Sequence, residues 1–316
     1  MKAEIGADIS KAAELLKSGQ LVAIPTETVY GLAANAFDPE AVLKIFQVKE
    51  RPAFDPLIVH VGRKEDVRNI VVELPKDADA LMGLFWPGPL TLVLPKQSRV
   101  PDIVTSGLDT VGVRMPAHPL TLELLRSIEH PLAAPSANPF GYISPTNARH
   151  VAAQLGDKIS YILDGGSCEV GVESTIIGWE DGTWVLYRAG GLPVEAIEEV
   201  IGKLVAAPQQ DKPLAPGMLG SHYAPRKPLY IGDPPAWIAR APGERIGIIS
   251  FTDRYPVEHC EVLSPSGDLA EAARNLFAAM RRLDAADIDL IVAGSFPSYG
   301  LGRAINDRLK RAASRP

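Results

Sequence analysis

The sequence predicts an α/β protein with two domains. Short apolar runs typical of buried strands, such as Leu21–Ile24 and Leu57–Val61, alternate with amphipathic segments typical of helices. A chain of 316 residues is long for a single hydrophobic core. Residues 205–228 contain five prolines and no apolar periodicity, which indicates a break between two halves. We therefore expect a first domain over residues 1–204, an extended linker over 205–227 and a second domain over 228–316.

The first domain alternates predicted strands and helices throughout. It is expected to open with a helix over Asp8–Ser18, because the alanines and leucines there fall on one face. Asp38 is predicted to cap a helix over Glu40–Val48, with Pro39 in the first turn. Further helices are expected at Lys64–Ile70, Lys76–Phe85, His118–Ser127, Asn147–Leu155 and Pro193–Ile201, and further strands at Leu90–Leu94, Thr110–Arg114, Pro131–Ala134, Ser160–Leu163, Gly171–Ile177 and Thr183–Arg188.

The second domain has the pattern of a small parallel sheet covered by helices. Strands are expected at Leu229–Ile231, Arg245–Ser250 and Ile288–Ala293, and helices at Asp268–Leu283 and from Gly300 to Lys310. Gly300 and Gly302 do not make a dinucleotide fingerprint, because the third glycine is missing and the pair follows the last strand. We predict a stabilising or lid-positioning role for this domain.

Composition argues against several classes of protein. The net charge of −6 disfavours broad nucleic-acid binding, which needs a basic surface, but it leaves room for a small cationic pocket. No apolar run is long enough to span a membrane, and the first residues lack the apolar core of a signal peptide. Cys168 and Cys260 are too few for a disulfide framework and have no CxxC spacing. A reducing, cytoplasmic location is expected.

Polar side chains collect where the early elements end. Thr26 and Tyr30 follow the first apolar strand, Lys49 and Arg51 close the next helix, and His60 ends the next strand. Ligands bind at such places in α/β folds. A structural alternative stays open for most of them: Lys49 and Arg51 suit the helix dipole as surface charges, and Tyr30 and His60 suit a packed core.

Two later stretches leave the same choice open. In Thr110–Arg114 the alternation puts Arg114 on the face opposite the two valines, where it meets either solvent at a sheet edge or a ligand anion. Ser136, Asn138 and Ser144 follow another short strand, and such residues either cap the next helix or bind phosphate.

The sequence lacks the common catalytic signatures. It has no Walker A loop, no HExxH pair and no GxSxG elbow, and its six histidines are not spaced as metal-ligand pairs. The hydroxyls and cations of the first domain therefore favour catalysis by positioning reactants and neutralising charge on a phosphoanhydride.

Several motifs share one family resemblance. They are PTETVYGL (25–32), KxRP (49–52), PLIVH (56–60), WPGPLT (86–91), VESTI (172–176), RxG (188–190) and PGM…HYAP (216–225). Together they resemble the YrdC/Sua5 family, and the last is typical of its two-domain Sua5 branch. The resemblance implies a YrdC-like twisted mixed sheet with helices around a large cavity, plus a smaller Rossmann-like α/β domain. The proline-rich segment would then be a lid over the active site.

The resemblance also implies a reaction. L-Threonine, bicarbonate and ATP would give threonylcarbamoyl-AMP and pyrophosphate, for N6-threonylcarbamoyladenosine at position 37 of tRNA. Mg²⁺ would enter with ATP, with no metal site of the protein itself. Downstream transferase proteins of the same tRNA modification are candidate partners, direct tRNA contact stays open, and no membrane is involved.

The motif positions carry predicted roles. The threonine site would comprise Tyr30, His60, Arg114, Ala134 and Ser174. Phosphates would meet Lys49, Arg51, Ser136, Ser144 and Arg188, and the rest of the nucleotide Thr26, Thr110, Asn138 and Tyr223. The residues assigned to catalysis are Lys49, Arg51 and Arg114. Asp55 would meet sugar, base or metal, and Glu173 and Asp164 would either act as a general base or cap turns.

Two other functions compete. One is an RNA-binding module that uses the same cavity, against which the net acidity counts. The other is a carbamoyl-adenylate enzyme like the hydrogenase maturation proteins, against which the missing CxxC pairs count.

Overall fold

The fold consists of two α/β units, each with its own sheet. The computed structural model describes residues 2–207, 213–218, 220, 222–241 and 243–314. Within these residues, a mixed sheet of eleven strands is built from segments between residues 4 and 206, and a parallel sheet of four strands from segments between 229 and 293. The predicted mixed sheet and the smaller parallel α/β domain are confirmed.

Strands and helices occur throughout the chain, and several strands follow one another directly. The strands are β1 (Glu4–Gly6), β2 (Val22–Ile24), β3 (Gly31–Asn35), β4 (Ile58–His60), β5 (Leu90–Pro95), β6 (Thr110–Arg114), β7 (Leu132–Ala133), β8 (Tyr161–Leu163), β9 (Thr175–Glu180), β10 (Thr183–Arg188), β11 (Val205–Ala206), β12 (Leu229–Ile231), β13 (Ile246–Ser250), β14 (His259–Val262) and β15 (Leu290–Ala293). The helices are α1 (Ile9–Lys17), α2 (Pro39–Lys49), α3 (Ala78–Phe85), α4 (Asp102–Thr105), α5 (Pro119–Ser127), α6 (Ala148–Leu155), α7 (Val194–Ile201), α8 (Pro234–Arg240), α9 (Leu269–Ala285) and α10 (Leu301–Ala313), with a 3₁₀ helix at Lys64–Asn69.

Most predicted elements are present within a residue or two of their expected bounds. Asp38 caps α2 as predicted, accepting hydrogen bonds from the backbone N–H groups of Glu40 and Ala41 at 3.0 and 3.2 Å. The predicted helix over Lys64–Ile70 is a 3₁₀ helix instead. Strands β1, β3, β11 and β14 and helices α4 and α8 were not predicted, since each is short or, like Gly-Leu-Ala-Ala-Asn of β3, built from residues of low strand propensity.

Strand register brings the predicted site residues of the first domain together. The larger sheet has the order β1-β8-β2-β3-β7-β4-β6-β5-β9-β10-β11. In its centre β4 pairs in parallel with β6, with His60 opposite Arg114. Residues in register on neighbouring strands point to the same face of a sheet, so these two side chains are neighbours. β9 and β10 form a hairpin that brings Arg188 back beside the start of β9.

The two units share an apolar interface. Val29, Ile143 and Val172 of the first unit belong to one buried cluster with Phe277 and Ile305 of the second. Such a continuous apolar contact holds the two sheets in a fixed relation, because separating them would expose this surface to water.

Replacing Gly171 with alanine is expected to lower the free energy of unfolding by about 2–4 kcal/mol. Gly171 has a φ of +78°, and a Cβ there would lie 2.4 Å from the Cα of Arg274 and 2.7 Å from the carbonyl oxygen of Ala273, both on α9. Two backbones therefore touch where the second unit docks. Urea unfolding of the full chain measures the change.

Gly182→Ala is the matched control. Gly182 has a φ of +81°, and nothing among the described residues lies within 4 Å of its Cβ position. Its substitution carries only the backbone strain, about 1–2 kcal/mol. If the two variants lost the same stability, the result would contradict the claim that the backbones of the two units are in close contact at Gly171.

Candidate active site

A partly open cavity lies beside the β4–β6 pair. A segment that we call the strap, defined as residues 213–218, 222 and 223, contributes part of its lining. The cavity lining includes residues with hydroxyl side chains, three arginines, two histidines and several small residues. The lining residues are Thr26, Thr28, Val29, Gly31, Arg51, Ile58, His60, Arg114, Ala134, Pro135, Ser136, Glu173, Ser174, Arg188, Pro216, Gly217, His222 and Tyr223.

Arg114 is buried and only partly satisfied by the protein. Its Nη2 forms an ion pair with Oε1 of Glu27 at 2.6 Å, its Nη1 donates to Thr28 Oγ1 at 2.9 Å, and its Nε donates to the carbonyl oxygen of Gly88 at 3.1 Å. A guanidinium has five N–H donors, so two remain for a ligand. Two N–H groups in a planar fork match a carboxylate.

His60 lies next to Arg114 as a neutral imidazole. Burial, and secondarily the Arg114 charge, lower the pKa of His60 to about 3. Its Nδ1 is buried without a hydrogen-bond partner among the described residues. A buried polar atom without a partner is costly, and His60 lines the cavity, so this residue is a candidate to bind a ligand.

The fold is expected to lose stability on acidification partly through His60. The unfolded chain takes up this proton at a pKa of about 6.5, whereas the folded chain takes it up at about 3, so the unfolded state binds more protons between these values. Stability therefore falls as the pH falls through this window. Urea unfolding of His60→Gln should show a smaller loss between about pH 7 and about pH 5 than the native chain. An unchanged slope in His60→Gln would contradict a buried neutral imidazole.

The signature turn is held by its own side chains. Thr26 Oγ1 donates to the carbonyl oxygen of Val29 at 2.6 Å and accepts from the backbone N–H groups of Thr28 and Val29, each at 3.2 Å. The phenol of Tyr30 donates to the carbonyl oxygen of Gly166 at 2.8 Å and is fully buried. Thr26 lines the cavity, whereas Tyr30, assigned to the threonine site, fixes the neighbouring loop and does not line it.

The cations of the KxRP motif differ in what they face. Arg51 lines the cavity. Its guanidinium forms an ion pair with Asp55 at 2.8 Å and donates to the carbonyl oxygen of Pro56. Its Nη1 has no partner among the described residues. Lys49 is buried behind the wall, where its Nζ donates to the carbonyl oxygens of Ser136 and Asn138, each at 2.5 Å. Burial, and secondarily Arg51, lower the pKa of Lys49. In this structure Lys49 supports the 136–138 loop rather than facing the cavity.

The strap is tied to the sheet across the cavity mouth. Arg188 donates through Nη1 to the carbonyl oxygen of Pro216 at 2.9 Å and through Nη2 to that of Ser174 at 2.9 Å. Ala215 packs with Ile58 in one buried apolar cluster. The strap therefore packs against the wall formed by β9 and β10, and its action as a lid stays a prediction.

The other predicted residues are divided between the cavity and its supports. Ala134, Ser136, Ser174 and Tyr223 line it, whereas Asp55, Thr110, Asn138 and Ser144 do not. Asp55 is the fully buried counter-ion of Arg51, and Ser144 donates to Glu173 at 2.5 Å instead of capping the following helix, whose cap is Asn147. Thr110 lies at the far end of β6, about 13 Å along the strand from Arg114. The ligand roles of all these residues stay predictions.

Sequence reasoning missed several residues of the wall. Thr28, Gly31, Ile58, Pro135 and Gly217 line the cavity although no role was predicted for them. Thr28 and Gly31 stand inside the PTETVYGL motif, so that motif was the available signal. Glu27 was missed as the counter-ion of Arg114, because its distance from Arg114 in the sequence hides the pair.

The described segments lack two features, which concern metals and membranes. No three His, Cys, Asp or Glu side chains there converge so that they could hold a metal ion. No helix there is long and apolar enough to cross a lipid bilayer.

Comparison with known proteins covers nearly the whole chain. Residues 14–190 match the Sua5_yciO_yrdC family, described as "Telomere recombination", and residues 192–314 match Sua5_C, described as "Threonylcarbamoyl-AMP synthase, C-terminal domain". Threonylcarbamoyl-AMP synthases of Pyrococcus abyssi and Bacillus subtilis are 44% and 42% identical, over 96% of this chain and 93% and 92% of theirs.

A solved structure agrees with the sequence comparison. The crystal structure of P. abyssi Sua5 complexed with L-threonine has a TM-score of 0.92 and 42% identity, and the match covers 99% of this chain and 97% of that one. The family resemblance predicted from the motifs is thus confirmed: the chain belongs to the Sua5/YciO/YrdC family and carries the Sua5-type C-terminal domain.

Proposed function

We propose that the protein is a threonylcarbamoyl-AMP synthase, which forms threonylcarbamoyl-AMP and pyrophosphate from L-threonine, bicarbonate and ATP. The observation that carries the proposal is that one cavity brings together the His60–Arg114 pair and the arginines Arg51 and Arg188. The full-length likeness to proteins of that name supports it.

The proposed chemistry needs charge to be neutralised. The threonine amine attacks carbon dioxide and loses a proton, or attacks bicarbonate and releases water, to give a carbamate. A carbamate oxygen then bonds to the α-phosphorus in line as the bond to the β-phosphate breaks and pyrophosphate leaves. Both reactants are anions, and the described residues that line the cavity include three buried arginines, Arg51, Arg114 and Arg188, and one buried carboxylate, Glu173. This excess of positive charge favours a polyanion.

Arg114 and His60 would bind the threonine end. The two free N–H groups of Arg114 suit the carboxylate, and the neutral imidazole of His60 adds no charge of its own. Arg51 and Arg188 would bind phosphate oxygens, each charge-assisted hydrogen bond contributing about 1.5–3 kcal/mol. In this proposal the wall would hold the two reactants in line, and positioning would do most of the catalytic work.

Mg²⁺ is proposed to enter with ATP, since triphosphate oxygens and water supply most of the ligands of this ion. We further propose that the protein works in the cytoplasm, and that its product serves transferases of tRNA N6-threonylcarbamoyladenosine synthesis. Direct contact with tRNA is not needed for the adenylation itself.

Pyrophosphate release tests the proposal. The protein is incubated with ATP, Mg²⁺, ¹³C-bicarbonate and L-threonine, and pyrophosphate and labelled threonylcarbamoyl-AMP are measured together. We expect both in equal amounts, and neither without threonine. D-Threonine serves as the control for the shape of the site. Pyrophosphate release that does not depend on threonine would overturn the assignment.

A further inference from the structure

The helix α10 of the second domain places an arginine directly behind the cavity wall. Arg308 has no solvent exposure, and its Nε forms an ion pair with Oε2 of Glu173 at 2.7 Å. The guanidinium also lies 5.1 Å from the ring centroid of Tyr223. Glu173 and Tyr223 both line the cavity, so one side chain of the second domain contacts two wall residues from outside.

The Glu173 carboxylate is an unusual group for a site that accepts a polyanion. It is buried, and an uncompensated negative charge there would repel triphosphate through a medium of low dielectric constant. Arg308 pairs with Oε2, and the Ser144 hydroxyl donates to Oε1 at 2.5 Å, so each carboxylate oxygen has a partner. Arg188 and Tyr223 are also near Glu173, and Asp307 forms ion pairs with Arg308, through Nη1, and with Arg311.

We propose that Arg308 is a positioning residue of the nucleotide site, which cancels the charge of Glu173 and holds Tyr223 against the cavity. The second domain thereby completes the site formed by the first. The proposal rests on the proposed function, because it assumes that ATP is the polyanion bound. It explains why a separate α/β unit is docked through a shared apolar core: the docking delivers one buried charge.

Arg308→Met is the test variant, because methionine keeps the apolar stem and a contact with the Tyr223 ring while removing the charge. ATP affinity, measured by calorimetry with a non-hydrolysable analogue, should fall about tenfold or more, since a buried carboxylate is left unpaired. L-Threonine affinity should change less than about threefold, since Arg308 does not contact the threonine side. An equal loss of both affinities would overturn the proposal.

The double variant Arg308→Met/Glu173→Gln separates charge compensation from a merely structural role. With both charges gone, ATP affinity should return to within about threefold of the native chain. If Arg308→Met alone does not fold, the double variant should fold and bind ATP to that extent. A double variant that is no better than the single one, or that also fails to fold, would overturn the proposal.

The pH dependence gives a further readout. Burial raises the pKa of Glu173, but Arg308, Arg188 and the Ser144 hydroxyl outweigh burial and hold it below its ordinary value. Without Arg308 the pKa rises, so lowering the pH from about 8 to about 6 should partly restore ATP affinity in Arg308→Met and not in the native chain. Parallel pH profiles would contradict the proposal.

Arg303→Met is the matched control. Arg303 is on the same helix and also bridges the two units, pairing with Glu195 at 3.1 Å, but both side chains are over 40% exposed and lie outside the cavity. The Arg303→Met variant should bind ATP as tightly as the native chain. A loss of affinity like that of Arg308→Met would show that docking of the second domain, not the charge of Arg308, determines ATP binding. Native protein that binds no ATP would instead refute the proposed function.

Discussion

Replacing Arg188 with methionine is expected to lower kcat/KM for ATP by about two orders of magnitude, mostly through KM. The guanidinium is buried and donates to the carbonyl oxygens of Ser174 and Pro216, so it joins the cavity wall to the strap. Loss of two charge-assisted contacts costs about 3 kcal/mol, which corresponds to about a hundredfold in affinity. The same change removes a cation from the proposed phosphate site.

Steady-state pyrophosphate release at varied ATP measures this effect. Arg245→Met is the control, because Arg245 is an exposed arginine paired with Asp287 and Asp289 far along the second domain. It should leave both kinetic constants unchanged. A native KM for ATP in Arg188→Met would rule out the role of Arg188 in closing the strap over the nucleotide.

Replacing Arg114 with methionine is expected to weaken L-threonine binding by about a hundredfold while ATP binding changes less than about threefold. Two of its N–H groups are free to hold the substrate carboxylate, and both would be lost. The variant should also unfold more easily, by about 3–5 kcal/mol, because Glu27 would remain buried and unpaired. Calorimetric titrations with each ligand give the two affinities.

A second variant distinguishes loss of binding from loss of folding. Arg114→Met/Glu27→Gln removes both members of the ion pair, so it should recover much of the stability. It should still fail to bind threonine, because the carboxylate ligand would remain absent. Recovery of threonine affinity, or an equal loss for both ligands in the single variant, would contradict the role of Arg114.

The polar loops were predicted from the sequence, but the residues that they contact in the fold were not. The ends of β4 and β6 were each predicted, yet their pairing, which places His60 beside Arg114, depends on sheet order and cannot be inferred from either strand alone. The same is true of Glu27 and Arg114, which are distant along the chain but joined by a buried ion pair.

A motif also cannot tell a ligand contact from a support. Tyr30 and Lys49 stand in the most specific motifs, but in this structure their polar atoms bind loop groups instead of lining the cavity. Arg308 is the opposite case, a residue near the site that no motif indicates. It lies in an ordinary amphipathic helix with no local signal, and only tertiary packing brings it to Glu173.

The central claim is that one cavity holds a carbamate of threonine and a nucleoside triphosphate side by side. A crystal structure with L-threonine, bicarbonate and a non-hydrolysable ATP analogue tests it most directly. We expect the threonine carboxylate on Arg114 and the phosphates between Arg51 and Arg188, both beneath the strap. Nucleotide bound on the second domain, or threonine away from Arg114, would contradict the claim.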